Sequence, residues 1–415
     1  MKTLLSTSIF LIILSEILFA QNSSVYSRYG IGDFEYSYSS KLISIGDIGA
    51  ALLDQDHLLV ANPAGWTVMS KTRIEFGFGY KGVLISDANR SVYNSETDFK
   101  GFTFGFPISR DLGIGVVTGL VPFSRVSYKA KENFSAQSEI PEYSVEYEGK
   151  GGISKLFVGS SVYLPLGFSA GASLDYYFGN IDYISNINFN QSETLINTKY
   201  ESLRRSTGFG GSFGIISPNL ANELSISFLD DLRLGFSYNV LGNLDTDTLF
   251  TSTSLYLVDT ISSGQTKMKI PQRFNGGISF VFNELFSFNF DYMYQPMSEY
   301  TFNEKTEINL RDINKFSVGF EYKPKKGMGM SEWEQIIWRL GLSLEQTQYI
   351  FNGTGIDQLG AFVGFSYPLG AENSIDVALQ YSKRGTTENS LLNENSIRVY
   401  LGLSLGELWF LRYDK

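Results

Sequence analysis

The sequence predicts an all-β protein: a transmembrane antiparallel β-barrel of about fourteen strands carrying a small N-terminal helical plug, or hatch. Three observations carry that prediction. An apolar leader has no comparably long apolar run after it, a period-2 alternation recurs along the rest of the chain, and 41 Gly, 25 Tyr and 33 Phe are spread over 415 residues with no obvious linker. The organisation that follows is a signal peptide over residues 1–20, a plug over 21–70 and the barrel over 71–415.

The leader, "MKTLLSTSIFLIILSEILFA", has Lys2 near its start, an apolar middle and Leu18-Phe19-Ala20 before Gln21, the pattern of a secretory signal cleaved near Gln21. An uncleaved membrane helix fits less well, because Ser15 and Glu16 interrupt the apolar run. The absence of cysteine excludes a disulfide scaffold and any thiolate chemistry, and a net charge of −10 with no basic patch argues against nucleic acid as a partner. The expected location is the outer membrane of a Gram-negative bacterium, crossed many times by strands.

The strands are legible one by one. In "RIEFGFGYK" Ile74, Phe76, Phe78 and Tyr80 share one face, while Arg73, Glu75, Gly77, Gly79 and Lys81 share the other. The same alternation returns in "KGFTFGFPI", "RLGFSYNV", "FSFNFDYMY", "WRLGLSLEQ", "IDVALQYS" and "IRVYLGLSL". In a soluble sandwich the apolar face would pack in a core. Here the opposing face is Gly, Ser, Asp, Asn, Arg and Glu, which suits a barrel with lipid outside and a polar lumen. Long connections such as "SDANRSVYNSET" and residues 244–267 read as outer loops, and short ones such as "SRD", "LPLG", "FNEL" and "YPLGAEN" as periplasmic turns. Two connections on the short side, "SPNLANELSISFLDD" and "PKKGMGMSEW", exceed the rule and leave room for a short periplasmic helix.

Two stretches break the pattern. Residues 39–70 do not alternate; they are rich in small and helix-compatible apolar residues and end in the turn Asn62-Pro63-Ala64-Gly65. A wide barrel leaves a lumen that wall side chains alone do not fill, so this segment is expected inside as a plug, the alternative being a periplasmic extension. In "GLVPFSRVSY", Pro122 stands in the third strand, where a residue without an N–H interrupts the ladder. At ~3.3 Å per residue and a tilt near 40°, Pro122 lies roughly 25 Å above the periplasmic turn, so it either opens a gap in the wall or marks where the strand leaves the membrane.

Taken together, Ser44-Ile45-Gly46-Asp47-Ile48-Gly49-Ala50, an acid at Asp54 or Asp56, and Asn62-Pro63-Ala64-Gly65 resemble the hatch of the FadL family of outer-membrane long-chain fatty acid transporters. Val121-Pro122-Phe123-Ser124 is similar to that family's break in the third strand, with Ser124 in place of the usual glycine, and "KIPQRFNGGISF" to its proline-led start of a late strand. The resemblance implies passive uptake of a hydrophobic, fatty-acid-like molecule, with lateral release into the outer leaflet through the kinked third strand. The chain ends "LWFLRYDK" rather than in a terminal aromatic, leaving Trp409 and Phe410 as the candidate signal for the barrel-assembly machinery.

No enzyme is expected. Barrel hydrolases need a histidine base, and the single one, His57, falls in the plug between Asp56 and Leu58; Asp230 and Asp231 read as a solvated turn. No phosphate loop or metal-ligand spacing appears, so no cofactor is expected. If the ligand is an acid, inward-facing Arg73, Arg233, Arg339 and Arg398 are candidates for its head group, because guanidinium pairs with carboxylate bidentately; the competing reading pairs them with Glu75, Glu345 and Asp376. The expected partner is a hydrophobic small molecule or lipid. The second reading is a FadL-shaped scaffold or shuttle that holds a protein partner at its outer loops for secretion or surface attachment.

Overall fold

The computed structural model describes residues 24–407, apart from residues 48, 137–140, 190–194, 256, 326–329, 352 and 371. The expected leader, the cleavage point at Gln21 and the terminal Trp409 and Phe410 lie outside the described residues.

Fourteen antiparallel strands close into one barrel. In chain order they are β1 (Thr72–Ser86), β2 (Ser91–Ser109), β3 (Ile114–Phe134), β4 (Tyr143–Tyr163), β5 (Ser169–Phe189), β6 (Thr198–Ile216), β7 (Asp231–Leu241, continued as Asn243–Ser254), β8 (Leu257–Lys269, continued as Arg273–Phe282), β9 (Phe286–Gln295), β10 (Ile313–Tyr322), β11 (Ile337–Phe351), β12 (Thr354–Pro368), β13 (Ser374–Gly385) and β14 (Asn393–Glu407). Both halves of β7 pair with β6, with a one-residue shift at the break between Gly210↔Leu241 and Thr207↔Asp245, and the halves of β8 pair with β7 in one continuing register across theirs, so each is a single strand with a break. The β8 break contains Pro271, which leads Arg273–Phe282 as the sequence suggests. Closure is made by β14 on β1, from Asn393↔Ser86 to Glu407↔Thr72.

The alternation sorts as a bilayer demands. Leu342, Leu174 and Leu401 stand 50–59% exposed on the outer wall, while Arg73, Arg339 and Asp175 are at most 1% exposed in the lumen. Two loop expectations are corrected. "SDANRSVYNSET" is mostly strand, with β1 and β2 pairing up to Ser86↔Ser91, and residues 244–267 are the hairpin of β7 and β8 rather than an irregular loop. Alternating Thr, Ser and Val residues let these segments carry the barrel wall upward past the membrane. The first long periplasmic connection does hold a short helix, Leu220–Glu223, capped by Asn219; the second holds a 3₁₀ turn, Glu332–Gln335, closed by a capping box from Ser331 and Glu334.

Residues 24–70 fill the lumen from its outer end to its periplasmic end. The Tyr26 hydroxyl donates to the Leu392 carbonyl (2.5 Å) at the outer mouth, and the chain then descends past Asp33–Phe34 to the one helix of the plug, Ser40–Ser44. Less of this segment is helical than its composition suggests. Gly46 (φ 102°) and Asp47 (φ 65°) stop the helix after little more than a turn, and the remainder is held by side-chain bonds within the plug, such as Trp66 Nε1–H to the Leu59 carbonyl (2.8 Å), as well as by bonds to the wall.

Candidate functional site

The third strand loses its neighbour near Pro122. The β2–β3 ladder runs from Ser109↔Ile114 to Phe102↔Leu120 and ends there, while β3 continues on β4 to Phe134↔Tyr143. Each edge of the split carries one extra residue: Lys100 in β2, between Gly77↔Gly101 and Phe78↔Phe99, and Phe123 in β3, between Pro122↔Ser154 and Ser124↔Ile153. Gly101 sits at φ 119°, where a Cβ would lie 2.5 Å from the Leu120 carbonyl oxygen, so glycine is required at the vertex. The split starts at the top of the apolar band, because the outward side chains of β4 change from Val158 and Leu156 below it to Lys150 and Glu148 above.

The chain's own N-terminal segment occupies the edge that β2 leaves. Asp33 and Phe34 pair with Arg125 and Ser124, the Glu35 N–H donates to the Phe123 carbonyl (3.0 Å), and the Ser24 N–H donates to the Ser127 carbonyl (2.9 Å). Gly32 permits this approach: a Cβ there would fall 2.1 Å from the Arg125 carbonyl oxygen. Across the split, Arg125 reaches Asp98 (2.8 Å) and Glu96 (3.4 Å), and Lys100 reaches Glu35 and Asp98 (2.9 Å each). Side-chain ion pairs and a two-residue strand thus replace the missing ladder. Phe123 turns inward and is buried, edge-on to Phe34 (5.4 Å) and Tyr177 (5.0 Å), with the Arg273 guanidinium over Phe34 and Tyr36 (5.0 Å each).

Buried charge anchors the plug at two further levels. Near the outer mouth Arg384 joins Asp33 (2.8 Å) to Glu394 (2.6 Å), with Ser24 bound to both Arg384 and Glu394. Burial alone would raise the Asp33 carboxyl, but Arg384, Lys81 and Arg398 outweigh it and lower its pKa from 3.8 to about 2. A carboxyl depressed in the folded state contributes stability above its unfolded pKa and loses it as pH falls through the folded one. The outer anchor should therefore hold unchanged above about pH 4 and loosen between about pH 4 and pH 2, by on the order of 2 kcal/mol. Protease access to residues 24–38 across that pH range measures it, and Asp33→Asn should flatten the profile.

At the periplasmic level Arg339 binds Glu321 (2.6 Å) and Asp376 (3.4 Å), Lys41 contacts Asp54 and Glu321, and His57 lies between Asp376 (3.1 Å) and Asp54 (3.5 Å). Ser366 and His57 both bind Asp376 rather than each other, so no base reaches the serine hydroxyl and this is not a nucleophilic triad. The turn Asn62-Pro63-Ala64-Gly65 is buried against β5, β6 and β7. The Asn62 side chain accepts from the Ala64 N–H (3.0 Å) and donates to the carbonyls of Ala50 (2.6 Å) and Phe236 (3.2 Å), capping the 3₁₀ turn Pro63–Val68.

The four arginines singled out from the sequence do not converge. Arg73 is tied to Asp56 (3.0 Å) and to the Gln55 carbonyl (2.9 Å), Arg339 to the cluster above, Arg233 to Asp231 (2.7 Å) in the periplasmic mouth, and Arg398 to the Tyr400 hydroxyl (3.4 Å) at mid-lumen. Of the expected carboxylate partners only Asp376 is used, by Arg339. Glu75 instead accepts from Tyr38 (2.7 Å) and Leu58 N–H (3.0 Å), and Glu345 from Tyr36 (2.7 Å). Asp231 is not simply solvated, since it pairs with Arg233, and Asp230 accepts from the Glu284 N–H (2.6 Å) to close a turn. Arg273 stands over the Phe123 ring (5.6 Å), and one of its terminal nitrogens, Nη2, is buried without a hydrogen-bond partner. Its signal was the "PQRF" after Pro271, but period-2 reading alone cannot say that this arginine faces Phe123.

Little space remains inside. Between the plug and the seam lies a cavity of about 60 Å³ lined by Tyr36, Val121, Phe123, Tyr177 and Arg273, and beside it one of about 30 Å³. Larger hollows open at the periplasmic mouth (about 400 Å³, lined by Asp54, Asp56, Arg233 and Lys323) and along the seam (about 510 Å³, lined by Phe99, Pro122, Arg125 and Lys150).

The sequence matches the family described as BamG over residues 1–414. The chain belongs to the BamG family. None of the curated proteins matches it. Among solved structures, this BamG-family barrel is similar to the Ralstonia pickettii toluene transporter TbuX (14% identity, TM-score 0.60, covering 89% of this chain and 98% of that one). It is also similar to the Pseudomonas putida toluene transporter TodX (14%, 0.58, 92% and 100%) and to a Pseudomonas aeruginosa FadL homologue (12%, 0.57, 86% and 94%). At these identities the likeness is one of fold: a FadL-type outer-membrane barrel.

Proposed function

We propose that this barrel works with its lumen closed and serves a protein partner in the outer membrane, as a component of barrel assembly, the role at which the BamG designation hints. The observation that carries this reading is the filled lumen. Pockets for hydrophobic ligands run to roughly 300–1,000 Å³, whereas the spaces between the plug and the seam hold about 60 and 30 Å³, room for a few waters, and the hollow of about 400 Å³ at the periplasmic mouth is lined by the charged Lys41, Asp54, Asp56, Arg233 and Lys323. What the molecule offers to others is its surface. Depleting the chain should lower the folded, heat-modifiable fraction of other outer-membrane barrels, and a tagged copy extracted in mild detergent should migrate well above its own 46.4 kDa. A monomeric extract together with unaffected barrels would end the proposal.

A second reading, passive transport of a hydrophobic molecule with release through β3, is favoured by the seam itself. Pro122 lines both the small inner cavity, beside Phe123, and the hollow of about 510 Å³ along the seam, as the wall of a closed side door would. In this reading residues 24–38 must move before anything passes, and Arg273, rather than Arg73, Arg233, Arg339 or Arg398, is the cation placed to meet an acidic head group. Pro122→Ala restores an N–H on the edge facing β2 and should slow uptake of a labelled fatty acid while leaving heat-modifiability intact. Equal uptake by mutant and wild type would remove the door.

A further inference from the structure

The hairpin of β7 and β8 continues above the apolar band past their breaks at Gly242 and residues 270–272. There β8 pairs with β7 from Leu257↔Ser254 to Lys269↔Asn243, but on its other side Met268 and Lys269 pair with Phe302 and Thr301, the Lys267 carbonyl accepts from the Asn303 N–H (3.1 Å), and the ladder goes no further. Among the described residues no strand covers residues 257–266 on that edge. Residues 257–265 are exposed on both faces as well, and Leu257, Val258 and Ile261 are each more than half exposed.

Natural sheets blunt such an edge with charge, proline or brevity. The upper part of β3, at the far side of the same outer sheet, follows the rule with Lys129, Lys131 and Glu132. The β8 edge does so only weakly: over residues 257–266 it has one charge, Asp259, one bulge, at Ile261, and no proline, with β-branched Val258, Thr260, Ile261 and Thr266. Ten residues of edge strand present about five free N–H and five free C=O groups in a row.

We infer that residues 257–266 of β8 are a docking edge that accepts one extended strand from a separate protein at the cell surface. This rests on the partner reading above and gives it a location. A strand is the occupant because only another backbone satisfies a whole row of alternating donors and acceptors, while Leu257, Val258 and Ile261 supply side-chain contacts on its flanks. Ile261 is the extra residue of a bulge between Thr260 and Ser262, which turns an apolar side chain out of register with β7. A second copy of this chain fits poorly. Two barrels in one membrane point the same way, so their β8 edges would meet running parallel, the weaker pairing.

The test places a photo-crosslinking amino acid at Thr260 or Gln265 in living cells, with Lys383 as the control position. The expected product is one adduct, heavier than the barrel by a single different chain, formed from the β8 positions and not from Lys383. Ser263→Pro or Gln265→Pro should cut the adduct at least about tenfold without changing heat-modifiability, since proline removes an edge donor. Because proline could disturb the hairpin, amide exchange supplies a second readout: residues 257–266 should exchange slowly in outer-membrane fragments and fast in the purified barrel. An adduct insensitive to both prolines, an adduct of twice the barrel mass, or equally fast exchange in both preparations would overturn the docking edge while leaving the partner reading intact. A barrel that retains no stoichiometric partner at all would instead remove the reading on which the edge depends.

Discussion

Deleting residues 24–70 turns the barrel from a closed shell into a leaky pore. The wall does not depend on the plug for closure, because β14 and β1 are laddered from Asn393↔Ser86 to Glu407↔Thr72. The plug, by contrast, supplies much of what fills the lumen: Tyr26, Ile31 and Phe34 in the upper core, Leu42, Ile45 and Leu59 in the lower. Once it is gone, wall side chains alone face a lumen too wide for them to close. In liposome swelling with small hydrophilic solutes, the full deletion should give the largest rise, and deleting only residues 39–70 a smaller one, since Tyr26 still seals against Leu392 and stacks on Phe351 (5.5 Å) at the outer mouth. An unchanged leak from a heat-modifiable full-deletion barrel would mean that the plug closes nothing.

Arg384→Met should be the most destabilising single change in the upper lumen. The guanidinium is 7% exposed and joins two carboxylates, Asp33 on the plug and Glu394 on the wall, which its removal leaves buried and like-charged. Breaking a buried pair by deleting one partner costs about 3–5 kcal/mol, whereas replacing the whole cluster by neutral groups is far milder. The triple change Arg384→Met, Asp33→Asn and Glu394→Gln should therefore recover most of the loss. Urea unfolding in liposomes reads both variants. A loss below about 1 kcal/mol for the single change would show that water reaches these carboxylates and that the anchor is not a buried one.

The barrel was legible because lipid outside and water-like polarity inside write themselves onto alternate residues. Ile74, Phe76 and Phe78 opposite Arg73, Glu75 and Gly77 need no long-range information to be read. The outer extensions were not: "SDANRSVYNSET" and residues 244–267 mix polar and apolar residues on both faces, so period-2 contrast vanishes there and the composition reads as loop where the sheet continues. The surroundings of the arginines were hidden for a related reason. Alternation says that Arg73, Arg339 and Arg398 face inward, but not the height at which each stands or which plug atom meets it.

By itself, then, the sequence determined the class of fold, the inward and outward faces of most strands, the plug turn Asn62-Pro63-Ala64-Gly65 and the position of the interruption at Pro122, because each of these is set by local chemistry: side-chain polarity at period 2, a missing N–H, an Asn-capped turn. Only the tertiary structure decided that β3 trades β2 for Asp33–Phe34, that Arg384 joins the plug to the wall while Arg273 stands over Phe123, and that the outer edge of β8 over residues 257–266 is left without a neighbouring strand among the described residues. Those are contacts between residues tens to hundreds of positions apart, fixed by the register and shear of a closed barrel, and no local pattern encodes them.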